Sequence, residues 1–187
     1  MSEELSGKRI AFLVANEGVE QVELSEPARA VRDAGGDVDL IAPADEPVQG
    51  FDHLDKGDTF EPDRTVAEAD PADYDGLVLP GGVANPDQLR TKAEAVDFVR
   101  SFFEADKPVG VICHGPWTLV EADVVHDRTL TSFPSLKTDI RNAGGHWVDE
   151  EVHVDDNLVS SRNPDDLPAF NRSIVEAFAG RRVAAAS

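Results

Sequence analysis

The chain has 187 residues, enough for one domain with a core of its own, and a single domain over 1–187 is expected. Apolar residues make up 41 % but fall in short stretches, none near the roughly 20 needed to cross a bilayer, which excludes a membrane-spanning helix. With 37 acidic against 17 basic residues and a formal net charge of -20, the surface repels phosphate, so nucleic-acid binding is disfavoured and no membrane partner is expected.

Regular apolar segments argue against a disordered acidic chain. The acid excess is read instead as that of a folded protein from a very salty cytosol, where salt screens self-repulsion and the acidic surface aids solubility. The expected result is loss of fold on dialysis to dilute buffer, followed by circular dichroism; a chain that stays folded there contradicts the reading. The N-terminus, Met1-Ser2-Glu3-Glu4-Leu5, lacks the basic-then-apolar pattern of an export signal, so a cytoplasmic location is expected. A lone cysteine, Cys113, excludes a disulfide framework and a multi-cysteine zinc site.

Arg9–Ala15 is a nearly continuous apolar run and reads as a strand buried on both faces. Val22, Leu24, Ala28, Val31 and Ala34 then recur at helical spacing, closed by Gly35-Gly36, and Val38–Ala42 supplies a second strand, completing a βαβ unit. From Pro43 to Asp75 the pattern loosens into loops and short strands. Gly76–Leu79 is a strand ending in the turn Pro80-Gly81-Gly82, and a helix follows with Ala93, Val96, Val99, Phe102 and Phe103. Pro108–Cys113 is a further buried strand and Pro116–Ala122 a helix with proline in its first turn. Thr129–Ser132 reads as a strand, Leu136–Ala143 as a helix, and 152–154 with 158–160 as a hairpin; a last helix carries Phe170, Ile174, Val175 and Phe178. The alternation predicts an α/β fold: a doubly wound, mostly parallel sheet with helices on both faces.

Val111-Ile112-Cys113-His114-Gly115-Pro116 puts the only cysteine where a buried strand turns sharply into a helix, the position of a nucleophile elbow. Gly115 is the small residue that lets the helix pack close, although Val111 stands where the hydrolase pattern has its first glycine. The helix N-terminus is expected to favour a thiolate, while a buried strand cysteine without reactivity is the competing reading. Neighbouring side chains diverge on a regular element, so His114 reaches Cys113 only if the elbow is irregular; it would then act as base or ion-pair partner. Gly81 and Gly82 end the adjacent strand, and their backbone with the N–H of His114 suggests an oxyanion hole. After the first strand come Glu17, Glu20 and Glu23; one of these acids, if protonated, can donate a hydrogen bond to the sulfur. His53, His126, His146 and His153 read as structural.

Taken in order, Ala15-Asn16-Glu17 with Glu20, Leu77–Gly82, Ile112–Pro116, Asn142–Gly145 and Ser160–Phe170 resemble the ThiJ/PfpI family over nearly the whole chain. The resemblance implies a flavodoxin-like sandwich of the kind class I glutamine amidotransferases share, with Cys113 as nucleophile, His114 as its partner and Glu20 as the buried acid bonded to the cysteine. It implies further that an acid from a neighbouring subunit completes a Cys-His-acid triad. The matching position is Asp87, one methylene shorter than the archetypal glutamate. A homo-oligomer, dimer or larger, with its site completed across the interface follows, acting without metal or organic cofactor. The implied substrates are peptide bonds, or glyoxals and the adducts they leave on proteins, in stress protection.

Two other functions compete. A class I glutaminase needs a downstream His-x-Glu pair, and the nearest imitation is His153-Val154-Asp155. A redox-sensing or chaperone-like stress protein would use the same thiol without turnover. A flavodoxin-like module that only oligomerises would carry an unreactive Cys113.

Overall fold

The computed structural model describes residues 3–180. In chain order its elements are β1 (Arg9–Leu13), β2 (Glu17–Glu20), α1 (Gln21–Asp33), β3 (Asp37–Ala42), β4 (Val48–Asp52), β5 (Asp55–Phe60) and β6 (Arg64–Thr65). There follow β7 (Gly76–Leu79), α2 (Ala84–Leu89), α3 (Ala93–Glu104), β8 (Val109–Ile112), α4 (Pro116–Glu121) and β9 (Thr129–Leu130). The last are α5 (Lys137–Asn142), β10 (His146–Trp147), β11 (Val152–Asp155), β12 (Leu158–Ser161) and α6 (Leu167–Phe178).

The central sheet runs β11-β12-β8-β7-β1-β3-β6, and each neighbouring pair in it is parallel except β11 with β12. Because side chains alternate across a strand, the apolar run of β1 serves two cores at once. Ile10 and Phe12 face Leu24 and Val31 of α1 and Phe170 and Ile174 of α6. Ala11 and Leu13 face the other way, in the core that holds Phe98 and Phe102 of α3, Leu119 of α4 and Ile140 of α5. Burial on both faces is why these strands read as continuous rather than alternating apolar runs. Among the described residues no helix is long and apolar enough to cross a membrane.

Two local departures from the sequence reading, and the pairing of the short strands expected after Pro43, matter for the site. The apolar face of α1 does not include Val22, which is 39 % exposed; Glu23, fully buried, takes a place on that face beside Leu24, Pro27 and Ala28. The loosely patterned stretch after Pro43 contains a hairpin, β4–β5, whose first strand pairs with β2 to form a small separate sheet. A short helix, α2, follows Pro80–Gly82, where Asn85 and Pro86 gave no helical signal. Asn85 is buried and donates to the carbonyls of Pro80 and Gly81 while its Oδ1 accepts from the Ala15 N–H, tying the exits of β1 and β7 together.

Candidate active site

Strands β7 and β8 are parallel neighbours, so their carboxyl ends bring Pro80–Gly82 and Cys113 to one edge of the sheet. Cys113 has left the strand. Its φ is +62°, a left-handed conformation that costs a non-glycine residue about 1–3 kcal/mol and persists only where its surroundings hold it. Here the Cys113 N–H donates to Ser161 and its carbonyl accepts from Phe133, pinning the turn on both sides. Gly115 is required by close approach, since a Cβ there would lie 2.8 Å from the Leu79 carbonyl oxygen.

The left-handed turn makes two consecutive side chains converge, and the Cys113 sulfur lies 3.1 Å from His114 Nδ1. His114 Nε2 lies 3.2 Å from the Ser135 hydroxyl, and the ring stacks on Phe133 at 4.6 Å with the edge of Trp117 at 5.3 Å. In the tautomer with the proton on Nε2, that N–H donates to Ser135 and the Nδ1 lone pair faces the thiol. Burial holds the His114 pKa below its usual value, which keeps the ring neutral and able to accept a proton at neutral pH. Ser135→Ala removes one hydrogen bond worth about 1 kcal/mol, so we expect a fall of about fivefold in any turnover that uses His114, with little change in melting temperature.

The acid at the sulfur is Glu23 and not Glu20. Glu23 is fully buried; its Oε2 accepts from the Gly81 N–H at 2.9 Å, and its carboxyl interacts with the Cys113 thiol. Burial, reinforced by the charge of Glu20 and opposed by the Gly81 N–H, raises the Glu23 pKa to about 8. Glu20 instead ends β2 and turns its side chain toward His53, whose backbone N–H it accepts at 3.2 Å. The reason is register: Glu23, four residues before Pro27, points down the buried face of α1, whereas Glu20 precedes the helix.

The expected oxyanion donors also need one correction. Gly81 spends its N–H on Glu23, while the N–H groups of Gly82 and His114 face the sulfur. Gly82 takes φ +79°, and a Cβ there would sit 2.2 Å from the Gly18 carbonyl oxygen, so only glycine fits. The expectation of a thiolate favoured by the helix end gives way as well. Cys113 is 7 % exposed, and burial together with the Glu23 carboxylate pushes its pKa up, against the two N–H donors that pull it down. The helix α4 that follows has only six residues.

Asp87 lies on the exposed side of α2 and makes no hydrogen bond or ion pair among the described residues; within the chain it does not meet His114. His153 pairs with Glu150, and Asp155 accepts from the Thr129 N–H, so neither approaches Cys113 as a glutaminase pair would. The sulfur opens into a cleft of about 870 Å³ that is also lined by Phe51, His53, Leu54, Val83 and Phe133. His53, read from sequence as structural, is thus part of the site. So is Phe133, which no periodicity marked.

The DJ-1/PfpI family model matches residues 8–177, which takes in every element described except the last residue of α6. The chain belongs to the DJ-1/PfpI family. An uncharacterized protein of Staphylococcus haemolyticus is 42 % identical over 172 residues, covering 90 % of this chain and 96 % of that protein. An uncharacterized protein of Staphylococcus aureus is equally similar, with 97 % of its length covered. Among solved structures, a two-domain protein of Anabaena variabilis containing DJ-1/ThiJ/PfpI-like and ferritin-like domains superposes with TM-score 0.86 at 31 % identity; the match covers 96 % of this chain and half of that one. Drosophila melanogaster DJ-1beta superposes with TM-score 0.84 at 29 % identity, covering 97 % and 92 % of the two chains. As a DJ-1/PfpI family member the chain has the flavodoxin-like fold expected of it, and the family includes proteases and deglycases.

Proposed function

We propose that this family member is a cysteine-dependent hydrolase of the PfpI type, acting on peptide bonds or on glyoxals and glyoxal-derived protein adducts, in stress protection. The observation that carries the reading is the 3.1 Å contact between the Cys113 sulfur and His114 Nδ1, with the N–H groups of Gly82 and His114 alongside. In the proposed step the thiol proton passes to His114 Nδ1 and the sulfur forms a bond to the substrate carbonyl carbon. The π electrons of that carbonyl move onto oxygen, where the Gly82 and His114 N–H groups are placed to bind the resulting oxyanion. Below about pH 8 Glu23 carries a proton and donates it in a hydrogen bond to the sulfur as negative charge forms there. On a peptide the imidazolium then gives its proton to the departing amine as the C–N bond breaks, and water, passing a proton to His114, adds to the thioester and releases the carboxylic acid while the sulfur takes that proton back.

The same reading makes the working unit an oligomer in which Asp87 of the partner subunit shares the His114 Nε2–H with Ser135 and so orients the ring. Leu54, 94 % exposed, and Val83, 57 % exposed, stand at the mouth of the cleft and support a covering subunit.

The test is turnover of methylglyoxal and of an unstructured peptide by the purified chain, before and after alkylation with iodoacetamide. Turnover that disappears in proportion to the alkylated fraction supports the proposal. No turnover of either substrate by unmodified protein, or turnover indifferent to alkylation, overturns it.

A further inference from the structure

We propose that Asn85 is a positioning residue for Cys113: its buried amide locks the Pro80-Gly81-Gly82 turn in the orientation that keeps the Gly82 N–H on the sulfur. The consequence for turnover rests on the hydrolase reading, whereas the consequence for the thiol does not.

Asn85 is fully buried and its amide bonds to backbone on three sides. Nδ2 donates to the carbonyls of Pro80 and Gly81, each at 3.0 Å, and Oδ1 accepts from the Ala15 N–H at 2.7 Å. A peptide unit is planar and trans, so its C=O and N–H point in opposite directions. The two carbonyls drawn to Asn85 therefore aim the N–H groups of Gly81 and Gly82, the far ends of the same two units, at the opposite side of the turn. There the Gly81 N–H meets Glu23 Oε2 at 2.9 Å, and the Gly82 N–H faces the Cys113 sulfur and the Glu23 carboxyl. Successive N–H groups converging in this way form a concavity suited to negative charge. Asn85 clamps it from behind.

A clamp is needed because both turn residues are glycine. Turning the Gly81–Gly82 peptide over changes ψ of Gly81 and φ of Gly82, and glycine has no Cβ to oppose either rotation. The flip would swing the Gly82 N–H off the sulfur and put the Gly81 carbonyl oxygen in its place, facing the charge that forms on attack. The other bond to that carbonyl, from the Glu20 N–H, is longer at 3.3 Å. Asn85 also ties the turn to the exit of β1 through Ala15, so the clamp is anchored to the sheet.

The experiment compares the full chain with Asn85→Asp and Asn85→Ser, each checked for folding by circular dichroism. Aspartate keeps the shape and the oxygen that faces Ala15 but loses the NH2 donor to the two carbonyls; serine removes the amide without adding bulk. Cys113 alkylation by iodoacetamide at pH 8 should slow at least about threefold in both, because the thiolate loses an N–H partner. With methylglyoxal or a peptide, kcat should fall at least about tenfold while KM stays within about twofold. Loosened packing alone acts the other way, since a sulfur only 7 % exposed becomes easier to reach and alkylation speeds up. Alkylation as fast as in the parent, or faster, in a folded variant overturns the proposal. A second measurement needs no change at position 85: in 15N-labelled protein the Gly82 amide proton should move upfield when Cys113→Ala removes the sulfur, and an unmoved resonance overturns the proposal too. Slowed alkylation in a chain whose parent turns over neither substrate supports the role of Asn85 and counts against the hydrolase reading alone.

Discussion

Replacing Cys113 by serine is expected to reduce turnover by about 10³-fold or more while leaving the fold intact. Serine is nearly isosteric and meets the same backbone strain at φ +62°, so the hydrogen bonds to Ser161 and Phe133 that hold the turn are kept. What changes is acidity. His114 is a weakened base because burial holds its pKa down, and a neutral, weak imidazole can take a proton from a thiol far more readily than from a hydroxyl. The measurement is kcat/KM with methylglyoxal or a peptide, alongside circular dichroism of the variant. Turnover equal to that of the parent would reject the catalytic role of the sulfur.

Replacing Glu23 by glutamine is expected to raise stability and to reshape the pH profile. A carboxyl whose pKa rises from 4.5 in the unfolded chain to about 8 in the fold binds its proton more tightly when folded. Its favourable contribution is therefore complete below pH 4.5 and is lost as pH climbs through 8. Glutamine is neutral throughout, so its advantage over the parent should grow from pH 4.5 and level off above 8, where the melting temperature should be higher by about 5 °C or more. Function should respond differently. The parent gains activity as His114 loses its proton below the ordinary histidine value, and declines above about pH 8 as the Glu23 carboxylate opposes negative charge on the sulfur. In Glu23→Gln the alkaline decline should vanish. A variant whose stability gain is the same at pH 5 and pH 8.5 would show that the Glu23 proton is not coupled to folding.

The sheet and its sulfur-bearing turn were legible because both rest on local patterns. Runs such as Ile10–Leu13 and Val109–Ile112 are apolar without alternation, which only a strand covered on both faces explains, and Cys113-His114-Gly115-Pro116 joins a strand end to a helix start. The choice among three acids was harder. Glu17, Glu20 and Glu23 stand within seven residues, and the family resemblance pointed to Glu20. The deciding signal was present in the helical period: Glu23 falls four residues before Pro27 on the face with Leu24 and Ala28, so an acid there must be buried. Phe133, Ser135 and His53 come from loops and a hairpin tip with no periodicity, and only the assembled fold brings them to the cleft. Asp87 is a different case, because a residue that acts on a second subunit leaves no mark on its own chain beyond an exposed carboxylate.

The coupling of the buried thiol to its acid is tested most directly by the rate of Cys113 alkylation with iodoacetamide, followed by mass spectrometry between pH 5 and 10 for the parent and Glu23→Gln. Below pH 8 the protonated carboxyl is the better donor to sulfur, so the parent should react at least as fast as the variant. Above pH 8 the carboxylate repels the thiolate, and the variant should overtake it. Profiles that superimpose across the whole range would contradict the account.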